Sequence, residues 1–229
     1  MSLTYDEARA LHAEFPVLDL HADTAKLIVA EALRPGGTLV TNGDDPVLTE
    51  VVARWIPARP DLRWLRFSSH GPADAWADER ALYFPGDLEV PIAEVPLALG
   101  GAARYNVENA LAAGLAGVAL GLGDRVGAGL RAVRADPRDN PGRSNWFVCN
   151  GAKILVDYAH NPDGLARLAE LADALAPTRR LMLFGQAGDR TPELLDALAV
   201  AAAELRCARY VLKPLPGYAR GRDPAEVVD

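Results

Sequence analysis

Ile154-Leu155-Val156-Asp157-Tyr158-Ala159-His160-Asn161-Pro162-Asp163-Gly164 carries the sharpest change of pattern in the chain. Ile154 to Val156 reads as a short buried strand, and polarity changes abruptly at Asp157. Asn161-Pro162 then opens a helix, because Asn is a good N-cap and Pro suits the first helical position. Leu165, Leu168, Ala172 and Leu175 follow at spacings of 3, 4 and 3, one face of that helix. A carboxylate, an imidazole and a carboxamide thus stand at the end of an expected parallel strand, where open α/β sheets bind ligands. The residues alone leave two readings open, a ligand site and a capped turn with a solvated histidine.

Downstream, Leu181–Phe184 reads as a strand, Gly185–Arg190 as a polar loop, and Thr191-Pro192 as the cap of a helix from Leu194 to Leu205. Tyr210–Leu212 is a further strand. This alternation predicts a parallel sheet with right-handed crossovers. Upstream, Trp146–Cys149 and Lys153–Val156 flank Asn150-Gly151, a hairpin signal. Residues 123–143 read as a boundary, with Asp136–Arg143 rich in turn formers.

The first half begins with a helical pattern over 5–15 and a helix from Ala22 to Leu33, stopped by Arg34-Pro35-Gly36-Gly37. A strand, Thr38–Thr41, runs into the polar cluster Asn42-Gly43-Asp44-Asp45-Pro46, and Val47–Trp55 is helical. Leu62–Phe67, Arg80–Phe84 and Leu88–Leu97 read as β-hairpin material. Asn106–Leu122 is an Ala/Leu helix, ended by Gly121 and Gly123.

The 229 residues carry 24 Lys and Arg against 31 Asp and Glu, a net charge of −7. That balance argues against a general nucleic-acid or anionic-membrane surface, though it is compatible with a local basic pocket. Two cysteines, Cys149 and Cys207, make neither a disulfide framework nor a zinc site. A reducing, cytoplasmic setting is the default expectation. No apolar run approaches the ~18 residues of a membrane span. A Rossmann dehydrogenase is excluded by the lack of G-x-G-x-x-G between a strand and a helix.

Four separated stretches resemble one family. Asp157-Tyr-Ala-His-Asn-Pro-Asp163 is similar to the C-terminal signature of the Mur ligases and folylpolyglutamate synthetases. Asn42-Gly-Asp-Asp-Pro46 resembles their N-A-D-D-P, and Tyr105-Asn-Val-Glu-Asn-Ala-Leu-Ala-Ala113 their H-N-x-x-N-A-L-A-A. Asn140-Pro-Gly-Arg143 resembles the P-G-R that joins the central and C-terminal domains. Gly185–Arg190 and Lys213–Arg222 look most like the Mur-ligase-like region of cyanophycin synthetases.

The resemblance implies an α/β chain, with a partial P-loop-type ATPase central domain over 1–139 and a Rossmann-like C-terminal ligase domain over 140–229. It implies an ATP- and magnesium-dependent ligase that joins a carboxylate to an amine through an acyl phosphate. Asn106 and Asn109 match asparagines near the adenine; read alone, they cap a helix. Arg143 matches the arginine that reaches the phosphates; read alone, it is a solvated linker charge. Asp157 matches the carboxylate on the ribose, and His160 and Asn161 match positions beside substrate and phosphates. Lys26 falls where the family has an often carbamoylated lysine; read alone, it is a surface helix residue. Asp189 and Arg190 match a loop near the incoming amine.

Departures accompany the likeness. The phosphate-cradling G-x-x-G-K-[ST] does not occur in the 229 residues. Tyr105 replaces a histidine, and Gly43 an alanine. His12 is one place off the family's magnesium histidine, so the metal ligands stay unassigned. The expectation is therefore a fragment truncated at both ends, inactive alone and prone to oligomerise through uncovered apolar faces. The alternative is a non-catalytic or split-ligase subunit that takes its P-loop from a partner.

Overall fold

The structure, a computed structural model, describes residues 33–223. Lys26, His12 and the helices expected before Leu33 lie outside the described residues. The chain is α/β and divides into two compact units, 33–101 with 105–134 and 102–104 with 135–223.

The first unit is built on a five-stranded sheet in the order β1 to β5: β1 Thr38–Asn42, β2 Arg63–Ser68, β3 Ala75–Ala77, β4 Ala81–Phe84 and β5 Leu88–Pro91. β1, β2 and β3 run parallel, while β4 and β5 pair antiparallel. The hairpin expectation thus holds for β4–β5 and fails for Leu62–Phe67, which lies parallel to β1. Strand composition marks a strand but not its partner, and the intervening helix α1 (Pro46–Trp55) supplies the crossover that a parallel pair needs. Beyond Pro91 the expected strand gives way to 3-10 turns at Ile92–Glu94 and Pro96–Gly101.

Helix α2 (Arg104–Ala119) closes one core, in which Leu111 and Leu115 meet Leu82, Phe84 and Val90. Gly114 faces the Phe84 ring so closely that a Cβ there would overlap it. Small residues on this face therefore let the helix seat on the sheet. The helix ends at Gly121, whose φ of 75° is left-handed, with Leu122 N–H returning to Gly117 O at 2.9 Å. Residues 123–143 are not all boundary, because Gly123–Ala132 forms a helix, α3. Three glycines hide it in the sequence, but Val126 is buried and Leu130 packs against the same core.

The second unit opens with the hairpin β6 (Asn145–Cys149) and β7 (Ala152–Val156), turning at Asn150 and Gly151 with φ of 49° and 79°. Positive φ at both turn positions is the reason for the Asn-Gly pair. Helix α4 (Pro162–Ala174), strand β8 (Leu181–Phe184), helix α5 (Pro192–Ala203) and strand β9 (Arg209–Leu212) follow. β8 and β9 pair parallel, and Leu165 of α4 and Leu198 of α5 are buried against Met182 and Phe184.

Two corrections concern the stretch that opens at Ile154. β7 is not a parallel strand, since among the described residues it pairs only with β6. Nor is it buried, since Ile154 is 42% and Val156 45% exposed. An apolar run establishes that a strand can be covered, not that both faces are.

Candidate functional site

In the first unit, the polar cluster after β1 laces two strand ends together. Asp45 caps α1 by accepting from Leu48 N–H at 2.9 Å. Asp44 accepts from the Ser68 hydroxyl and from the Ser69 N–H at 2.7 Å, and lies 3.1 Å from His70 Nδ1. Burial alone would raise the Asp44 pKa, but the hydrogen bonds from Ser68, Ser69 and His70 outweigh it and lower the pKa below the usual carboxylate value. Ser68, Ser69 and His70 were not legible beforehand as partners, because only the parallel β1–β2 register brings them to Asp44.

The two asparagines of α2 differ in what they have to offer. Both lie inside the helix, so neither is its N-cap. Asn106 is buried; its amide donates to Leu97 O at 2.9 Å and accepts from Asn109 Nδ2 at 3.3 Å. It braces a loop in which Leu99, Gly100 and Gly101 all have positive φ. Asn109 is exposed and keeps its carbonyl oxygen and one N–H for another group.

In the second unit, Arg143, Asp157, His160 and Asn161 gather around one turn. Asp157 accepts from Ser144 N–H at 2.8 Å with one oxygen and from Ala159 N–H at 2.8 Å with the other. Asn145 closes the same turn, accepting from Gly142 N–H at 2.7 Å and donating to the carbonyls of Asn140 and Arg143 at 2.8 and 3.1 Å. The Arg143 guanidinium lies over the Tyr158 ring, 5.5 Å from its centroid, and His160 meets that ring at 5.3 Å. Asn161 is the cap of α4, accepting from Gly164 N–H at 2.7 Å. Asn145, Ser144 and Tyr158 are additions to the sequence reading. An Asn just after a run of turn formers was the available signal for the first.

Asp189 and Arg190 sit in the loop after β8. Its glycines let it lie against the segment after β9: Cβ atoms at Gly185 and Gly188 would overlap the carbonyls of Lys213 and Ala219. Gly188 N–H donates to Tyr218 O at 2.9 Å. The Arg190 Nε is buried and makes no hydrogen bond. Among the described residues no three His, Cys, Asp or Glu side chains converge as a metal site would need. No helix among them is long and apolar enough to cross a membrane.

Residues 142–229, most of the second unit, match the family model described as Mur ligase, glutamate ligase domain. Over those residues the chain is similar to the Mur ligases. It is 31% identical over 192 residues to cyanophycin synthetase of Trichormus variabilis, covering 79% of this chain and 21% of that protein. It is 29% identical over 224 residues to UDP-N-acetylmuramoyl-L-alanyl-D-glutamate-2,6-diaminopimelate ligase of the same organism, covering 93% and 43%. The chain therefore spans less than half of these relatives. Among solved structures, the FPGS-AMPPCP-folate complex aligns with a TM-score of 0.57 at 23% identity, covering 92% of this chain and 52% of the other. MurF of Acinetobacter baumannii aligns with a TM-score of 0.57 at 18% identity, covering 78% and 43%. These likenesses are of fold.

Proposed function

We propose that the chain is part of an ATP-dependent ligase that joins a carboxylate to an amine through an acyl phosphate, of the cyanophycin synthetase-like kind. Its first unit corresponds to the later part of the central ATP-binding domain, and its second to the C-terminal ligase domain. The observation that carries this reading is the cluster around the Asn140–Ser144 turn, where Asp157, Arg143 and His160 stand together on the matched domain.

In such a reaction a carboxylate oxygen attacks the γ-phosphorus and ADP leaves; the amine then attacks the acyl carbon, and phosphate and a proton leave. Phosphoryl transfer depends on positioning and charge neutralisation more than on covalent help. Arg143 supplies a permanent cation for phosphate oxygens. Asp157, held by two backbone N–H groups, keeps lone pairs for ribose hydroxyls. Asn109 meets the base edge, and Asn106 orients it. Arg190 and Asp189 face the amine substrate, with the buried Arg190 Nε suited to a carboxylate. Magnesium is implied by the family, but the described residues supply no cluster of His, Cys, Asp or Glu that would hold it. With no phosphate-cradling loop in its sequence, the chain alone binds ATP weakly and does not turn it over. A reducing cytoplasm is the setting this reading implies.

Titration of the 15N-labelled chain with ATP tests the reading. We expect weak binding with shifts at Asn109, Arg143 and Asp157, and loss of the second-unit shifts in Arg143→Ala. Absence of any ATP-dependent shift at these residues would sink the nucleotide reading. Multiple turnover of ATP by the chain alone would sink the statement about the missing loop.

A further inference from the structure

The Asn140–Ser144 turn is held more tightly than a linker of Asn, Pro, Gly, Arg and Ser requires. Among the described residues five buried side chains are polar, and two of them, Ser144 and Asn145, lie here at 1% and 2% exposure. Asn145 ties the backbone of the turn at three points, to Asn140, Gly142 and Arg143. Asp157 ties its last residue, Ser144, whose φ of 52° is a conformation that L-residues other than Asn and Asp rarely adopt. A backbone fixed on both sides of Arg143 fixes the direction in which its side chain leaves. What remains free is the side chain itself, with its several rotatable bonds. The ring of Tyr158, 64% exposed and next in sequence to Asp157, lies under the guanidinium at cation–π distance. His160 rests against the same ring, and its Nδ1 is 3.3 Å from Tyr158 O.

We propose that Tyr158 is the positioning residue of Arg143: its ring is a shelf that holds the guanidinium in place before an anionic ligand arrives. Asp157 and Asn145 set the turn, and Tyr158 selects among the arginine conformers the turn allows. An exposed aromatic beside a strand end is otherwise an unused apolar surface. Here it lowers the conformational entropy that Arg143 loses on binding phosphate oxygens, which is how preorganisation raises affinity. His160, on the same ring, is held by the same shelf. The expected role in phosphate binding rests on the nucleotide reading above, whereas the shelf itself does not.

The test uses the full 229-residue chain as wild type, Tyr158→Phe and Tyr158→Leu. The first readout is the side-chain Nε–Hε resonance of Arg143, which the ring current of Tyr158 displaces. It should stay in place in Tyr158→Phe and move to the position of a solvated arginine in Tyr158→Leu. The second is titration with tripolyphosphate and, separately, adenosine. Tyr158→Leu should weaken tripolyphosphate binding about 3-fold, the scale of an exposed cation–π contact, and leave adenosine unchanged, with Tyr158→Phe restoring wild-type affinity. A general loss of structure would move both ligands and the amide spectrum together. An Arg143 resonance unchanged in Tyr158→Leu overturns the proposal. If the resonance follows Tyr158 while wild type binds neither ATP nor tripolyphosphate, the shelf stands and the nucleotide reading falls.

Discussion

Strands β4 and β8 are both four apolar residues long, Ala81-Leu-Tyr-Phe84 and Leu181-Met-Leu-Phe184, and they meet opposite fates. β4 lies between β3 and β5, with Leu82 fully buried and Phe84 5% exposed beneath α2. β8 has β9 as its sheet partner and turns Met182 and Phe184 toward its helices, while Leu181 and Leu183 stay 64% and 60% exposed. The more apolar of the two strands is the less buried. Apolar content says what a strand would gain from cover; the neighbours on its edges and faces decide how much cover it has.

Truncation of the buried strand should give the largest effect. Leu82→Ala should cost the first unit about 3 kcal/mol, since a fully buried leucine leaves a cavity in a closed core. Urea unfolding followed by fluorescence reports it, because Trp55, Trp64 and Trp76 all lie in that unit. A loss below about 1 kcal/mol would mean the core can collapse around the gap. Helix caps should, by contrast, treat the units alike. Asp45→Ala and Asn161→Ala each remove one side-chain acceptor from a helix N-terminus and should each cost about 1 kcal/mol, read from the unfolding transition of the unit concerned. Unequal losses would show that one helix depends on its cap far more than the other.

Leu183→Lys should change stability by less than about 0.5 kcal/mol while lowering concentration-dependent light scattering of the chain. Scattering that stays the same would show that this face does not drive self-association. Acid provides the mildest probe. The folded-state pKa of Asp44 is depressed, so its contribution is present above the unfolded value and is lost as pH falls through the folded one. The first unit should therefore soften below about pH 4, and Asp44→Asn should flatten that limb of the melting profile. An unchanged acid limb in the variant would remove Asp44 as its source.

Capping chemistry made the second unit legible, because Asn161-Pro162 and Thr191-Pro192 each state where a helix starts, and both helices start there. Asn150-Gly151 stated its hairpin for the same reason, that few residues tolerate two successive positive φ values. Pairing was less legible. β2 looks like hairpin material until α1 is seen to carry the chain across to a parallel neighbour, and β3, three residues within Ala75–Ala77, is too short for any periodicity. Helix α3 was hidden by Gly123, Gly127 and Gly129, which lower helix propensity without preventing Val126 from packing. At the candidate site, Asp157, His160 and Asn161 could be named because they fall within one short motif, Asp157–Asn161. Ser144 and Tyr158 could not, and Asn145 only by its place after a run of turn formers, since their roles are contacts with a turn whose shape the letters do not display.

That turn has one more consequence. Asn-Pro-Gly-Arg-Ser is the composition in which a trypsin-like protease usually finds an open bond, and Arg143 would be its target. Cleavage requires the chain to be drawn out as an extended strand across the scissile bond. With Ser144 and Asn145 buried and tied on both sides, the Arg143–Ser144 bond should survive brief digestion, while exposed Arg138 in the same connecting segment is cut first. A nick map of the connection would thus trace where it is rigid, with the protected bond lying beside the residue that the ligand is expected to meet.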